Sequence, residues 1–90
     1  GVKQVVTNLS VFNVTTSSLF VYWTKPKGSS SFYRIHWKGG EISLQRNVSE
    51  TYLTISNLTA GEQYTITVSA VAADKLTEGK SETVVIYTSK

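Results

Sequence analysis

The run from Thr54 to Val71, TISNLTAGEQYTITVSAV, constrains this chain more than any other stretch. Leu58 leads into a turn at Gly61. Tyr64 then opens a segment in which Tyr64, Ile66, Val68 and Ala70 alternate with Thr65, Thr67 and Ser69. A period of two marks a strand with one buried face. A tyrosine heading such a strand, just past a short turn, is how a tyrosine corner reads in sequence: the ring is buried and its hydroxyl is tied back to backbone a few residues upstream. Corners of this kind belong to β-sandwiches, and they fix a strand's register as well as its layer. The same run holds Asn57-Leu58-Thr59, an acceptor for N-linked sugar, which points to the cell exterior.

The rest of the chain divides the same way, into seven short alternating segments in all. The first covers about residues 5–14, with Leu9 and Val11 inward. Its pattern slips near Phe12–Val14, which predicts a bulge or a change of partner there. After a turn at Thr15–Ser18, Leu19–Thr24 puts Leu19, Val21 and Trp23 on one face and Phe20, Tyr22 and Thr24 on the other. Pro26 and Gly28 end that strand, because proline cannot donate to a ladder and glycine frees the chain. The third segment, about Phe32–Trp37, turns Tyr33, Ile35 and Trp37 inward and Phe32, Arg34 and His36 outward. Gly39-Gly40 reads as a hairpin turn into a short strand, Glu41–Arg46, that carries Ile42 and Leu44. Asn47–Glu50 connects to Thr51–Ser56, with Leu53 and Ile55 inward. The last strand, Glu82–Thr88, follows the loop Ala72–Lys80 and buries Val84 and Ile86. No helical template fits better and no internal repeat is present. Residues 1–90 therefore read as one domain on a single core, with Trp23, Tyr33, Leu58 and Tyr64 as its structural anchors.

Cysteine is absent, which excludes a disulfide-stapled scaffold, thiolate metal sites and a cysteine nucleophile. The compartment is read from the asparagines instead. The chain has four, Asn8, Asn13, Asn47 and Asn57, and each begins an acceptor triplet: NLS, NVT, NVS and NLT. Even in a chain rich in Ser and Thr, four chance matches arise less than about one time in a hundred by simple multiplication. All four are therefore candidate N-glycosylation sites. No apolar run approaches membrane-spanning length and no signal-like start is seen, so the segment is expected neither to insert in a membrane nor to export itself; if extracellular, it was cut from a longer chain. The net charge of +3 is spread over nine basic residues without a block, which implies no nucleic-acid partner and no polybasic membrane anchor.

Taken in order and spacing, Leu9, Trp23 in SLFVYWTKP, Tyr33 in FYRIHW, Leu58, Gly61, Tyr64 with YTITVSAV, and Gly79 resemble a fibronectin type III module over nearly the whole chain. The resemblance implies an all-β fold: a seven-stranded, immunoglobulin-like β-sandwich of fibronectin type III type. The immunoglobulin relative expects a cysteine two residues past the corner tyrosine, where this chain has Ile66. Some family features are missing. Ala60 stands at the usual proline before the turn glycine, and neither an Arg-Gly-Asp tripeptide nor a tryptophan–serine box occurs. The run VTNLSVFNVTTSSLFVYW further resembles the sequon-rich repeats of receptor-type tyrosine phosphatase ectodomains, with parts shared by tenascin-like and other adhesion proteins. Such a parent's catalytic cysteine would lie elsewhere.

No catalytic, cofactor or metal site is expected. His36 and Asp74 are the only histidine and aspartate, and the topology sets them more than roughly 10 Å apart at about 3.3 Å per strand residue. The six acids are scattered and give no calcium loop. Two faces remain for protein contact. Phe20, Tyr22 and Tyr52 would share the outer face of the second and fifth strands, either as ordinary cross-strand pairs or as a contact surface. Phe32, Arg34 and His36, beside Val85 and Tyr87, combine aromatic and arginine side chains as binding hot spots do. The loops Lys25–Ser31 and Ala72–Lys80 share one pole and offer a third surface. The expected function is a non-catalytic extracellular module, monomeric by itself. Its partners would be other domains of the same ectodomain and extracellular proteins. The alternative is a dedicated ligand-binding domain that uses the Phe32/Arg34/His36 face or those loops.

Overall fold

Strands with one apolar face need a second layer to bury it, and this chain supplies two antiparallel sheets. The computed structural model describes residues 6–26, 32–72 and 78–90. Its strands are β1 (Thr7–Phe12), β2 (Leu19–Thr24), β3 (Phe32–Gly39), β4 (Ile42–Val48), β5 (Tyr52–Ile55), β6 (Gln63–Val71) and β7 (Glu82–Tyr87). One sheet has the order β1-β2-β5, the other β4-β3-β6-β7. The described residues contain no helix. This is the all-β, seven-stranded sandwich that the alternation predicts.

The core is drawn from the inward rows. Leu19, Val21 and Trp23 of β2 face Tyr33, Ile35 and Trp37 of β3 and Tyr64, Ile66, Val68 and Ala70 of β6, and all are buried. Leu9, Val11, Leu53, Val84 and Ile86 pack at the margins. Trp23 meets Tyr33 edge-on, with ring centroids 5.4 Å apart. This joins the two sheets through the geometry that aromatic quadrupoles favour.

At the pole where β5 passes to β6, the backbone N–H of Thr59 donates to the Tyr64 hydroxyl at 2.8 Å, with Tyr64 itself 1% exposed. The corner is held from a second side by Thr88, at the far end of the sequence. Its Oγ1 donates to the Thr59 carbonyl at 2.6 Å and accepts from the Glu62 N–H at 3.0 Å. The N–H groups of Gly61 and Leu58 reach the carbonyls of Ser89 and Ser17, both at 2.9 Å. Three segments thus close around one ring, and the N–H groups of Leu58, Thr59, Gly61 and Glu62 all find partners within the chain.

Several local expectations change. The irregularity in β1 lies between Thr7 and Ser10, not near Phe12–Val14, because Asn8 adopts φ 56 and shifts the register there. Gly39 is not part of the turn: it lies within β3 opposite Ile42, and Gly40, at φ 56, starts the two-residue reversal. Asn47 belongs to β4, which runs on to Val48, rather than to the connection after it. Leu44 pairs with Trp37 on the inward side yet is 54% exposed. β4 is the edge of a four-stranded sheet lying over a three-stranded one, so it overhangs its cover.

Gly39 has a different task from the one its neighbour suggests. It is buried against the corner ring, where a Cβ would meet the Gln63 carbonyl oxygen and the Tyr64 ring, with 2.8 Å left to Cε1. No ordinary Cβ contact is that short, and one of the obstacles is backbone. Gly39→Ala is therefore expected to destabilise the domain by about 1–3 kcal/mol, the usual range for overpacking. Denaturant melts check this, and a loss below about 0.5 kcal/mol, within the range of neutral surface changes, would mean the Tyr64 ring is not held against Gly39.

Candidate functional site

The outward row of β3 carries the residues singled out for protein contact. Phe32, Arg34 and His36 point away from the core, opposite Val71, Ser69 and Thr67 of β6. The structure brings two of the three together. The Arg34 guanidinium lies 5.8 Å from the centroid of the Phe32 ring, and its Nη1 forms an ion pair with Oε1 of Glu78. Glu78 reaches Arg34 because the chain before β7 folds back on β6. Glu78 bridges to Val71, and the Gly79 N–H donates to the Ala70 carbonyl at 2.8 Å. This cover explains why Val71, on the outer side of the sheet, is 1% exposed. Arg34 and Glu78 each keep about a third of their side-chain surface in water (35% and 39%), so the pair itself contributes little stability. What it fixes is position: the arginine is held across the strand rather than extended toward a partner.

His36 stands apart. Its Nε2 lies 3.0 Å from the Ser43 hydroxyl, in a polar region beside the Thr67–Thr83 hydroxyl pair. Val85 and Tyr87 on β7 are 51% and 62% exposed and continue the face away from Arg34. The remaining segments named for contact, residues 27–31 and 73–77 of the two loops, and Asp74 with them, lie outside the described residues. Among the described residues no three His, Cys, Asp or Glu side chains gather as metal ligands.

The outer face of the other sheet is aromatic. Phe12 stacks on Tyr22 with centroids 5.1 Å apart, Tyr22 lies 6.5 Å from Phe20, and Phe20 lies 6.0 Å from Tyr52. The sequence pattern predicts Phe20, Tyr22 and Tyr52 there. Phe12 joins them because it follows the inward Val11 and pairs with Phe20.

All four acceptor asparagines are exposed. Asn8, Asn13 and Asn57 have positive φ, at 56, 52 and 61, a conformation asparagine tolerates better than most residues. Backbone shape alone thus accounts for asparagine at three positions. Asn47 is different: it lies in the extended run of β4, directly opposite Arg34.

Trp23, Tyr33, Leu58 and Tyr64 are buried at 2%, 2%, 7% and 1% exposure. Two of the groups that shape the faces gave no signal in the sequence. Glu78 precedes a loop glycine, 44 positions from its partner, and Thr88 looks like an ordinary strand end.

The family model described as the fibronectin type III domain matches residues 4–86. The chain belongs to the fibronectin type III family. Among solved structures, this fibronectin type III domain is similar to a computationally redesigned β-sandwich protein (TM-score 0.87, 18% identity, 99% of this chain and 98% of that one). It also resembles the FN1-FN3 domains of chicken CNTN1 (TM-score 0.84, 26% identity, 99% of this chain and 33% of that one). A two-domain fibronectin type III segment of chicken tenascin gives a TM-score of 0.83 at 23% identity, over 92% of this chain and 48% of that one. The domain thus spans a third to a half of these two multidomain segments. A search of curated protein sequences returned no match. Fibronectin type III domains are in general non-catalytic modules, typical of the extracellular regions of adhesion and receptor proteins, where they often contact neighbouring domains and other extracellular proteins. No helix of the described residues is long and apolar enough to cross a membrane.

Proposed function

We propose that this domain is a non-catalytic extracellular module, one repeat in the ectodomain of a cell-surface receptor or adhesion protein. It spaces and orients its neighbours and makes small protein contacts. The whole chain, 1–90, acts as one such unit, monomeric by itself. Its partners are other domains of the same ectodomain and extracellular proteins, with no role for nucleic acid or for direct membrane insertion. The observation that carries this reading is the placement of the acceptors: Asn8, Asn13, Asn47 and Asn57 are all exposed and reach both sheets and both poles. Sugars so placed would keep the module hydrated from every side. A receptor-type tyrosine phosphatase is one parent whose sequon-rich repeats this chain resembles; its phosphatase domain would then lie elsewhere.

A second reading, a dedicated binding face at Phe32, Arg34 and His36, has one observation in its favour. Arg34 over Phe32 is a preformed aromatic–arginine unit. Two others weigh against it. Arg34 is already paired with Glu78, and Asn47 stands opposite it on the same face, so a sugar there would crowd any partner.

Secretion from a glycosylating host should give a product whose extra mass is removed by an N-glycosidase; a sugar-free product would contradict the extracellular reading. Changing Phe32 and Arg34 together to Ala in the full ectodomain should leave its affinity for extracellular ligands unchanged. A tenfold loss, about 1.4 kcal/mol, would favour the binding face instead.

A further inference from the structure

The aromatic ladder on the β1-β2-β5 sheet is not explained by the fold. Its rings lie on the outer face, and Phe12 and Tyr52 remain 50% and 52% exposed. Exposed aromatic surface of this kind, rimmed by polar residues, ordinarily meets something. The sheet itself offers an occupant. The register passes from the pair Thr7–Thr24 to the pair Ser10–Tyr22, so Asn8 and Leu9 share the interval between them. With φ 56, Asn8 turns its side chain to the outer face, where Nδ2 donates to the Thr24 hydroxyl at 3.2 Å. Thr24 and Tyr22 project from the same side of β2 two residues apart, about 7 Å along the strand. The acceptor nitrogen of Asn8-Leu9-Ser10 is therefore pinned at one end of the ladder.

We propose that the ladder is the seat of an N-linked glycan on Asn8, whose first sugar rings lie over Tyr22 and Phe12. The proposal rests on the glycoprotein reading above. In the attachment, the Asn8 nitrogen displaces the lipid pyrophosphate from C1 of a lipid-linked oligosaccharide: an N–C bond forms, the C1–O bond breaks, the lipid leaves still bound to its pyrophosphate and one amide proton is lost. An asparagine amide has two N–H groups, so the other still donates to Thr24 and holds the linkage against the sheet. A pyranose presents a face of C–H bonds, the complement of the electron-rich face of an aromatic ring. One or two linked sugars span the distance from Thr24 to Tyr22. Asn13 lies beyond the end of β1 and serves as the comparison site.

The test uses the chain secreted from a glycosylating host with isotope-labelled N-acetylglucosamine, read by glycopeptide mapping and NMR. Asn8 should be occupied, and the C–H resonances of its sugars should be shifted upfield by ring currents, with cross-relaxation to Tyr22 and Phe12. Ser10→Ala, which keeps the Asn8–Thr24 hydrogen bond, should abolish those shifted signals. Phe12→Ser should return them toward free-oligosaccharide positions, whereas Asn13→Gln should leave them in place. An occupied Asn8 with unshifted sugar resonances would overturn the proposal. So would a bare Asn8 beside occupied sugars at other acceptors, which leaves the glycoprotein reading standing. Sugar at none of the four would overturn both.

Discussion

The hydrogen bond from the Thr59 N–H to the Tyr64 hydroxyl is the contact on which the rest of this structure depends. It joins the connection from one sheet to the first inward position of β6 in the other, at a ring that is almost wholly buried. A buried phenol without a partner would be costly, so the ring and the loop specify each other. Around that bond the chain gathers elements distant in sequence. Gly39 has no Cβ to stand in the way of the ring, Thr88 binds the carbonyl of the residue whose N–H the tyrosine takes, and Ser17 and Ser89 receive N–H groups from the same loop. β6 then runs through the middle of its sheet in a register that decides what faces out. Tyr64, Ile66, Val68 and Ala70 go to the core, and the residues between them line the outer surface.

The two outer surfaces that result differ in character. On the four-stranded sheet, polar rows and an internal ion pair occupy the centre, and Arg34 is turned to Glu78 within its own chain. That face is largely self-contained. On the three-stranded sheet, aromatic rings stack across all three strands and stay partly open to water. A spacer module needs little from either face except solubility and a fixed shape, and sugars over the aromatic side would supply the first without disturbing the second.

Much of this was legible because it depends on local alternation. The inward rows of β2, β3 and β6 follow directly from residues two apart, and the corner follows from Leu58, Gly61 and Tyr64 in close succession. What was hidden depends on distance. Thr88 looks like any polar strand end until the fold carries it to Thr59, and Glu78 acquires meaning only when its segment returns to β6. Gly39 was masked by Gly40: two adjacent glycines read as one turn, although only the second has the positive φ that a turn demands. The shift at Asn8 is hidden because the apolar alternation breaks at Phe12, whereas the backbone breaks where an asparagine takes a left-handed conformation. The acceptor pattern is likewise only half a sugar signal, since three of its asparagines also answer a backbone need.

Native-state hydrogen exchange at the Thr59 amide tests the central claim most directly. If the corner bond ties the sandwich together, this amide exchanges only through global opening, with the same free energy as the core amides of Ile66 and Val68. In Tyr64→Phe it should drop to fast local exchange while the β6 amides fall by only about 1 kcal/mol, the ordinary worth of one hydrogen bond. A Thr59 amide that exchanges rapidly in the unaltered domain while β6 stays protected would contradict the account.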